Sequence, residues 1–127
     1  MKIGLLLPAL LIGALGGIAS PLFGVGGGVV MVPGFQSVLG MPYKTAVGTS
    51  LAVIVVTALV ASYKFGKGGL IDFRIAAIAA AGSVVATWLA ADWMQKQSSA
   101  MLVRLFAVFM IVLGCYFLWR SFRVPAV

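Results

Sequence analysis

Histidine is absent from this 127-residue chain, cysteine occurs once and acidic residues number two. Each shortage removes a class of chemistry. Without histidine, and with Cys115 alone, the usual transition-metal ligand sets cannot be assembled and no intrachain disulfide can form. Asp72 and Asp92 are the whole carboxylate inventory, too few and too far apart in sequence for an acid–base pair. The reading is therefore not an enzyme, with no cofactor and no metal site. Charge of either sign is scarce, 9% of residues against about 25% in soluble proteins. The net charge of +7 does not point to nucleic acid, because the basic residues sit singly or in small groups at the ends of apolar runs. That is where lysine and arginine anchor membrane helices and set their topology.

What the chain has in quantity is apolar sequence: 63% of residues and a mean hydropathy of +1.19. A soluble domain of this length must keep much of its surface in water and has no room to hide so many apolar side chains. The fold class read from this is an all-α integral membrane protein. Four runs approach the length needed to cross about 30 Å of hydrocarbon as helices, with spans near 3–19, 45–63, 75–91 and 99–119. Together they make one transmembrane domain over residues 1–127. The first twenty residues, a basic start followed by an apolar stretch ending in Gly17-Ile18-Ala19, share features with a cleavable signal peptide. Against cleavage, the uncharged run continues to Tyr43, and Gly13 and Gly17 have the spacing of a lipid-embedded packing motif.

Residues 20–42 are apolar but broken. Pro21, the glycines from Gly24 to Gly28, Pro33, Gly34, Gly40 and Pro42 all oppose one continuous helix. The expectation is a glycine-rich re-entrant loop and a half-length helix that returns to the side it came from. Irregular backbone persists at membrane depth only under cover of protein or beside a wet cavity, which makes the stretch a functional candidate.

Farther on, Gly66, Gly68 and Gly69 mark the end of the second span, and Asp72 occupies the cap position of the third. The third span carries a face of small residues, Ala76, Ala80, Ser83, Thr87 and Ala90. Membrane helices associate through close backbone approach at such faces, so this helix is expected to pack against its neighbours or a partner subunit; the hydroxyls lining a pathway is the alternative. The fourth span is bulkier and ends in an interfacial anchor, Trp119, Arg120, Phe122 and Arg123.

Four crossings put both termini on one side with Lys2, Lys64, Lys67, Arg74, Arg120 and Arg123, and leave Lys44, Lys96 and Arg104 opposite. The positive-inside rule then places both termini in the cytoplasm of an inner (plasma) membrane protein. If residues 20–44 cross fully, there are five crossings and the basic residues divide four against five. That near balance permits dual insertion and an antiparallel dimer.

The glycine cluster Phe23-Gly24-Val25-Gly26-Gly27-Gly28 precedes the half-helix. Glycines let several backbone N–H groups point into one concavity, and a helix start adds unpaired donors and the positive end of a dipole. Such a site favours a small anion. The step Ala46-Val47-Gly48-Thr49-Ser50 opens the second span and offers two hydroxyls; back-bonding to their own helix is their ordinary role. The candidate substrate-binding residues are Ser20, Gly24, Gly26, Gly27, Gly28, Thr49 and Ser50.

These segments carry a resemblance. Ser20, the run Phe23–Gly28, Val32-Pro33, Leu39-Gly40-Met41-Pro42, Ala46-Val47-Gly48-Thr49-Ser50-Leu51 and Gly69-Leu70-Ile71-Asp72 resemble, in order and spacing, the TauE/SafE family of sulfite and organosulfonate exporters. The resemblance implies a membrane transporter that exports small sulfur-containing oxyanions or organosulfonates, with the glycine and Gly-Thr-Ser segments near the path. Family members typically carry two related halves, whereas this sequence holds the motif pair once. It therefore looks like one repeat of a two-repeat transporter, completed as a homodimer. A structural or accessory membrane subunit, or an anion channel needing a partner, is the competing reading.

Overall fold

The computed structural model describes residues 3–123, so Lys2 lies outside the described residues. A short 3₁₀ turn, Ile3–Leu5, leads into five helices: α1 Leu6–Phe23, α2 Gly28–Ser37, α3 Tyr43–Lys67, α4 Phe73–Lys96 and α5 Ser99–Ser121. Four of them, all but α2, are long and apolar enough to cross a membrane, and all are α-helical, as the composition requires.

The boundaries follow from local chemistry. Helix α1 runs straight through Pro21, where the sequence suggested a stop. A proline removes one hydrogen bond and need not end a membrane helix. The stop comes at Gly24, whose φ of 68° lets its N–H reach back to the Ser20 carbonyl at 3.0 Å, a left-handed cap that suits glycine. Helix α3 extends four residues past the expected end. It closes on a Schellman turn, with Gly69 at φ 68°, its N–H donating to the Gly66 carbonyl and the Leu70 N–H to the Phe65 carbonyl. Asp72 caps α4, its carboxylate accepting from the N–H groups of Arg74 and Ile75, both at 3.0 Å. Ser98 caps α5 through the Met101 N–H at 3.3 Å.

The packed centre is small. Ile12 of α1, Met31, Val32 and Phe35 of α2, Tyr43 and Ala46 of α3 and Leu102 of α5 form the buried cluster, with α2 held between α1 and α3. The Tyr43 ring meets the edge of Phe106 at 6.4 Å. Outside this cluster most large apolar side chains are exposed, the arrangement of a protein whose solvent is lipid. Helix α4 goes further: none of its residues is buried. It is fastened mainly at its ends, by the turn of residues 68–72 and by Lys44 Nζ donating to the Gln95 carbonyl at 2.7 Å, with Met94 leaning on the core. Among the described residues its small-residue face meets the rest of the chain only towards its end, where Thr87 and Ala90 border a cleft with Leu51 of α3.

Helix directions correct the expected path of residues 20–42. Gly27 lies on Gly16 and Gly34 on Ile12, so α2 runs antiparallel to α1. By Leu39 and Met41 the chain is back beside Leu5, Leu6 and Ala9. Helix α3 then sets out parallel to α1, passing Gly26 and Gly28 at Ile54 and Gly17 and Pro21 at Val56–Lys64. Helix α5 runs the same way, from Tyr43 at Phe106 to Leu22 and Phe23 at Phe117. The segment thus does not return to the side where α1 ended. Ten residues of helix cover only about 15 Å; the bend at residues 24–27 supplies the rest by dropping the chain from the end of α1 to the level of Gly16. The described chain makes five passes along the bundle, and Leu5 and Phe122 stand at opposite ends. Both termini on one cytoplasmic side, the expectation from four crossings, is incompatible with this geometry.

Candidate functional site

The bend between α1 and α2 is a run of special backbone. Gly24, Gly26 and Gly27 have φ of 68°, 69° and 74°, a region L side chains enter at a cost. Gly27, the N-cap of α2, offers its carbonyl to the N–H groups of Val30 and Met31, at 3.1 and 3.0 Å. Among the described residues, the N–H groups of Gly26, Gly27, Gly28 and Val29 donate to no carbonyl outside the helices and to no side chain. They are the orphan donors of a helix start, joined to a left-handed turn that bunches N–H groups together.

Space around these glycines is uneven. A methyl on Gly27 would run into the Gly16 carbonyl oxygen, with the Gly16 carbon at 2.9 Å and Cα at 3.2 Å. Gly16 in turn lies under the Met31 side chain, whose Cγ would stand 2.6 Å from a methyl there. Two backbones therefore touch at the crossing of α1 and the bend; Gly27 has no room for a side chain, and Gly16 has room only if Met31 shifts. Gly26 and Gly28 face Ile54, at 3.2 and 3.3 Å from an added methyl, whereas Gly24 has nothing within 4 Å. Two apolar clefts lie near the bend, and the second reaches it at Val25. One, of about 430 Å³, lies between α1 and α3 and ends at Lys64. The other, of about 500 Å³, lies against α5.

The structure brings Ser20, Gly24, Gly26, Gly27 and Gly28 into one neighbourhood, with Ser20 buried, 8% exposed. Thr49 and Ser50 belong to the next helix and stand about one turn short of Ile54, the α3 residue that meets the bend. Ser50 is buried and its hydroxyl donates to the Val47 carbonyl at 2.8 Å, the back-bonding arrangement. Thr49 is half-buried. Among the described residues no hydrogen bond joins either hydroxyl to the bend. Sequence reasoning missed Gly16, Met31 and Ile54. It took Gly13 and Gly17 as the packing pair, yet neither would meet anything within 4 Å. The glycine that packs is Gly16, one residue away, and its only signal was sitting within the same small-residue cluster.

Comparison with known proteins bears on this arrangement. The chain matches the family described as "Sulfite exporter TauE/SafE" over residues 6–126. It is 31% identical over 109 residues to a "Probable membrane transporter protein" of Xylella fastidiosa (strain 9a5c), covering 83% of this chain and 41% of that protein. With YunE of Bacillus subtilis (strain 168), named a probable membrane transporter protein, identity is 29% over 113 residues, 89% of this chain and 40% of the relative. With MJ0441 of Methanocaldococcus jannaschii, named likewise, it is 33% over 122 residues, 88% of this chain and 45% of the relative. No solved structure matches. The chain spans less than half the length of these relatives. With a family match that takes in all five helices and the bend, the chain belongs to the TauE/SafE sulfite exporter family.

Proposed function

We propose that this membrane transporter exports a small sulfur-containing anion, sulfite or a related oxyanion or organosulfonate, and that the anion is held at the α1–α2 bend. The carrying observation is the row of uncommitted N–H groups from Gly26 to Val29, set where three glycines turn the chain. Away from bulk water such donors gain strength, and the positive end of α2 adds to them. Thr49, on the neighbouring helix, contributes a hydroxyl. No buried lysine or arginine is needed, so the anion is gripped without being trapped.

Two such units form the working transporter. The chain covers 40–45% of its relatives' lengths, and α4 lacks any burial of its own. Export needs no proton relay, because a negative cell interior drives each unit of negative charge outward by about 2.3 kcal/mol per 100 mV.

The test is flux in sealed vesicles loaded with radiolabelled sulfite. Export should follow an imposed potential and survive collapse of the proton gradient. Export abolished by collapsing the proton gradient, with the potential maintained, rejects the mechanism; no saturable flux of any sulfur anion rejects the function. Thr49→Val keeps side-chain shape and removes the donor. Loss of a hydrogen bond to a charged group should raise the half-saturating concentration roughly tenfold or more.

A further inference from the structure

We infer that the partner completing this transporter is a second copy of the same chain inserted upside down in the same membrane, and that the two copies meet along α4. This rests on the transporter reading above and adds the partner's orientation and its docking face.

Direction comes first. Helices α1, α3 and α5 run one way and α2 and α4 the other, so the passes are odd in number. Transporters with broken helices at mid-depth are commonly built from two units related by a two-fold axis in the membrane plane. A unit with an odd number of passes fits that symmetry, since its inverted copy supplies the opposite set.

Charge comes second. Lys44, Lys96 and Arg104 belong to the end where α1 starts, Lys2 precedes that start in the sequence, and Lys64, Lys67, Arg74, Arg120 and Arg123 belong to the other end. Orientation follows an excess of lysine and arginine on one side, and here the excess is a single residue. Insertion has almost nothing to choose between the two directions.

The third observation is α4, the one long helix with no buried residue. The middle of its small-residue face reads Ala80, Ser83, Thr87, Ala90, with steps of three, four and three residues. That order is the same from either end. Turned over about Val85, near the middle of the helix, Ala80 falls opposite Ala90 and Ser83 opposite Thr87. Small residues face small residues along the crossing, and the two hydroxyls meet at the membrane centre. Both need a partner there: among the described residues neither hydroxyl makes the back-bond that Ser50 and Thr57 make. A shallow trough of about 600 Å³ runs along this side of α4, past Ala80, Ser83, Thr87 and Ala91 and flanked by Val84 and Trp88, where a second helix can seat.

The experiment uses the full chain with Cys115→Ser and single introduced cysteines. Gln97→Cys, in the turn between α4 and α5, is treated in intact cells with a membrane-impermeant maleimide. About half the chains should label, as equal insertion requires; labelling of all or none overturns the inference. Ala80→Cys co-expressed with Ala90→Cys should form a disulfide between differently tagged copies, and Ala76→Cys alone should not. A disulfide between two Ala76→Cys copies means parallel packing, and no cross-link anywhere on α4 means another docking face; either overturns the pairing. Finally, Lys44→Gln with Lys96→Gln should fix one orientation, and Lys64→Gln with Lys67→Gln the other. Each alone should lose most sulfite flux and the two together should regain it. Full flux from each alone overturns the inverted partner. If wild-type chains carry no sulfite at all, the transport reading fails while labelling and cross-linking still decide orientation.

Discussion

Helices α1 to α3 and helix α4 are made of similar sequence and meet opposite fates. In the first region, Gly16 and Gly27 press backbone on backbone, with Met31 fully buried over them. In the second, a 24-residue helix no less rich in small residues has no buried residue. Small side chains permit close approach without ensuring it; a partner must be within reach. For α1 the partner is the next ten residues of its own chain. For most of α4 it is not among the described residues; only Met94 reaches the core.

Substitutions can break that contrast. The largest effect should come from Gly27→Val, which combines left-handed strain with overlap on the Gly16 carbonyl. At about 1–2 kcal/mol for the backbone and ~1–3 for overpacking, little folded protein should survive in detergent. A wild-type melting temperature would disprove the Gly16–Gly27 contact. It also means that loss of transport in this variant reports on folding, so Thr49→Val is the cleaner probe of anion binding. Next comes Met31→Ala, which empties the centre of the core and should cost about 2–5 kcal/mol, read as a lowered melting temperature. Asp72→Ala removes the α4 cap and should cost about 0.5–2 kcal/mol; an unchanged melting temperature would show the cap to be dispensable. The smallest effect belongs to Gly82→Ala on α4. Nothing lies within 4 Å of an added methyl, and alanine favours the helix by up to about 1 kcal/mol. Destabilisation there would mean that α4 packs on something within the protomer.

Much of the fold was legible because the bilayer constrains it. Runs of about twenty apolar residues and the Asp72 cap placed all four long helices, with ends up to five residues from those observed. The glycine bend stood out because so many glycines and prolines have no place in a continuous span. The direction of α2 did not stand out. Ten residues measure half a membrane, and length alone cannot tell a return from a crossing when a bend supplies the missing depth. Gly16 was illegible for a related reason. In a helix apolar on every side no period separates the inward face from the lipid face, so Gly13, Gly16 and Gly17 look alike until α2 is placed against them. The lack of burial along α4 was equally hidden, since a stripe of small residues reads the same whether or not its partner belongs to the same chain.

Ser50 has a single proton to give, and it is already turned inward to the Val47 carbonyl. What the oxygen then presents to its surroundings is lone pairs, which repel a negative solute. Unless that side chain rotates away from its own helix, it has no proton to offer an anion, and Thr49 alone remains to answer from α3. Ser50→Ala should accordingly leave the half-saturating sulfite concentration unchanged, where Thr49→Val raises it. A rise with Ser50→Ala as large as with Thr49→Val would show that the proton swings outward when substrate arrives.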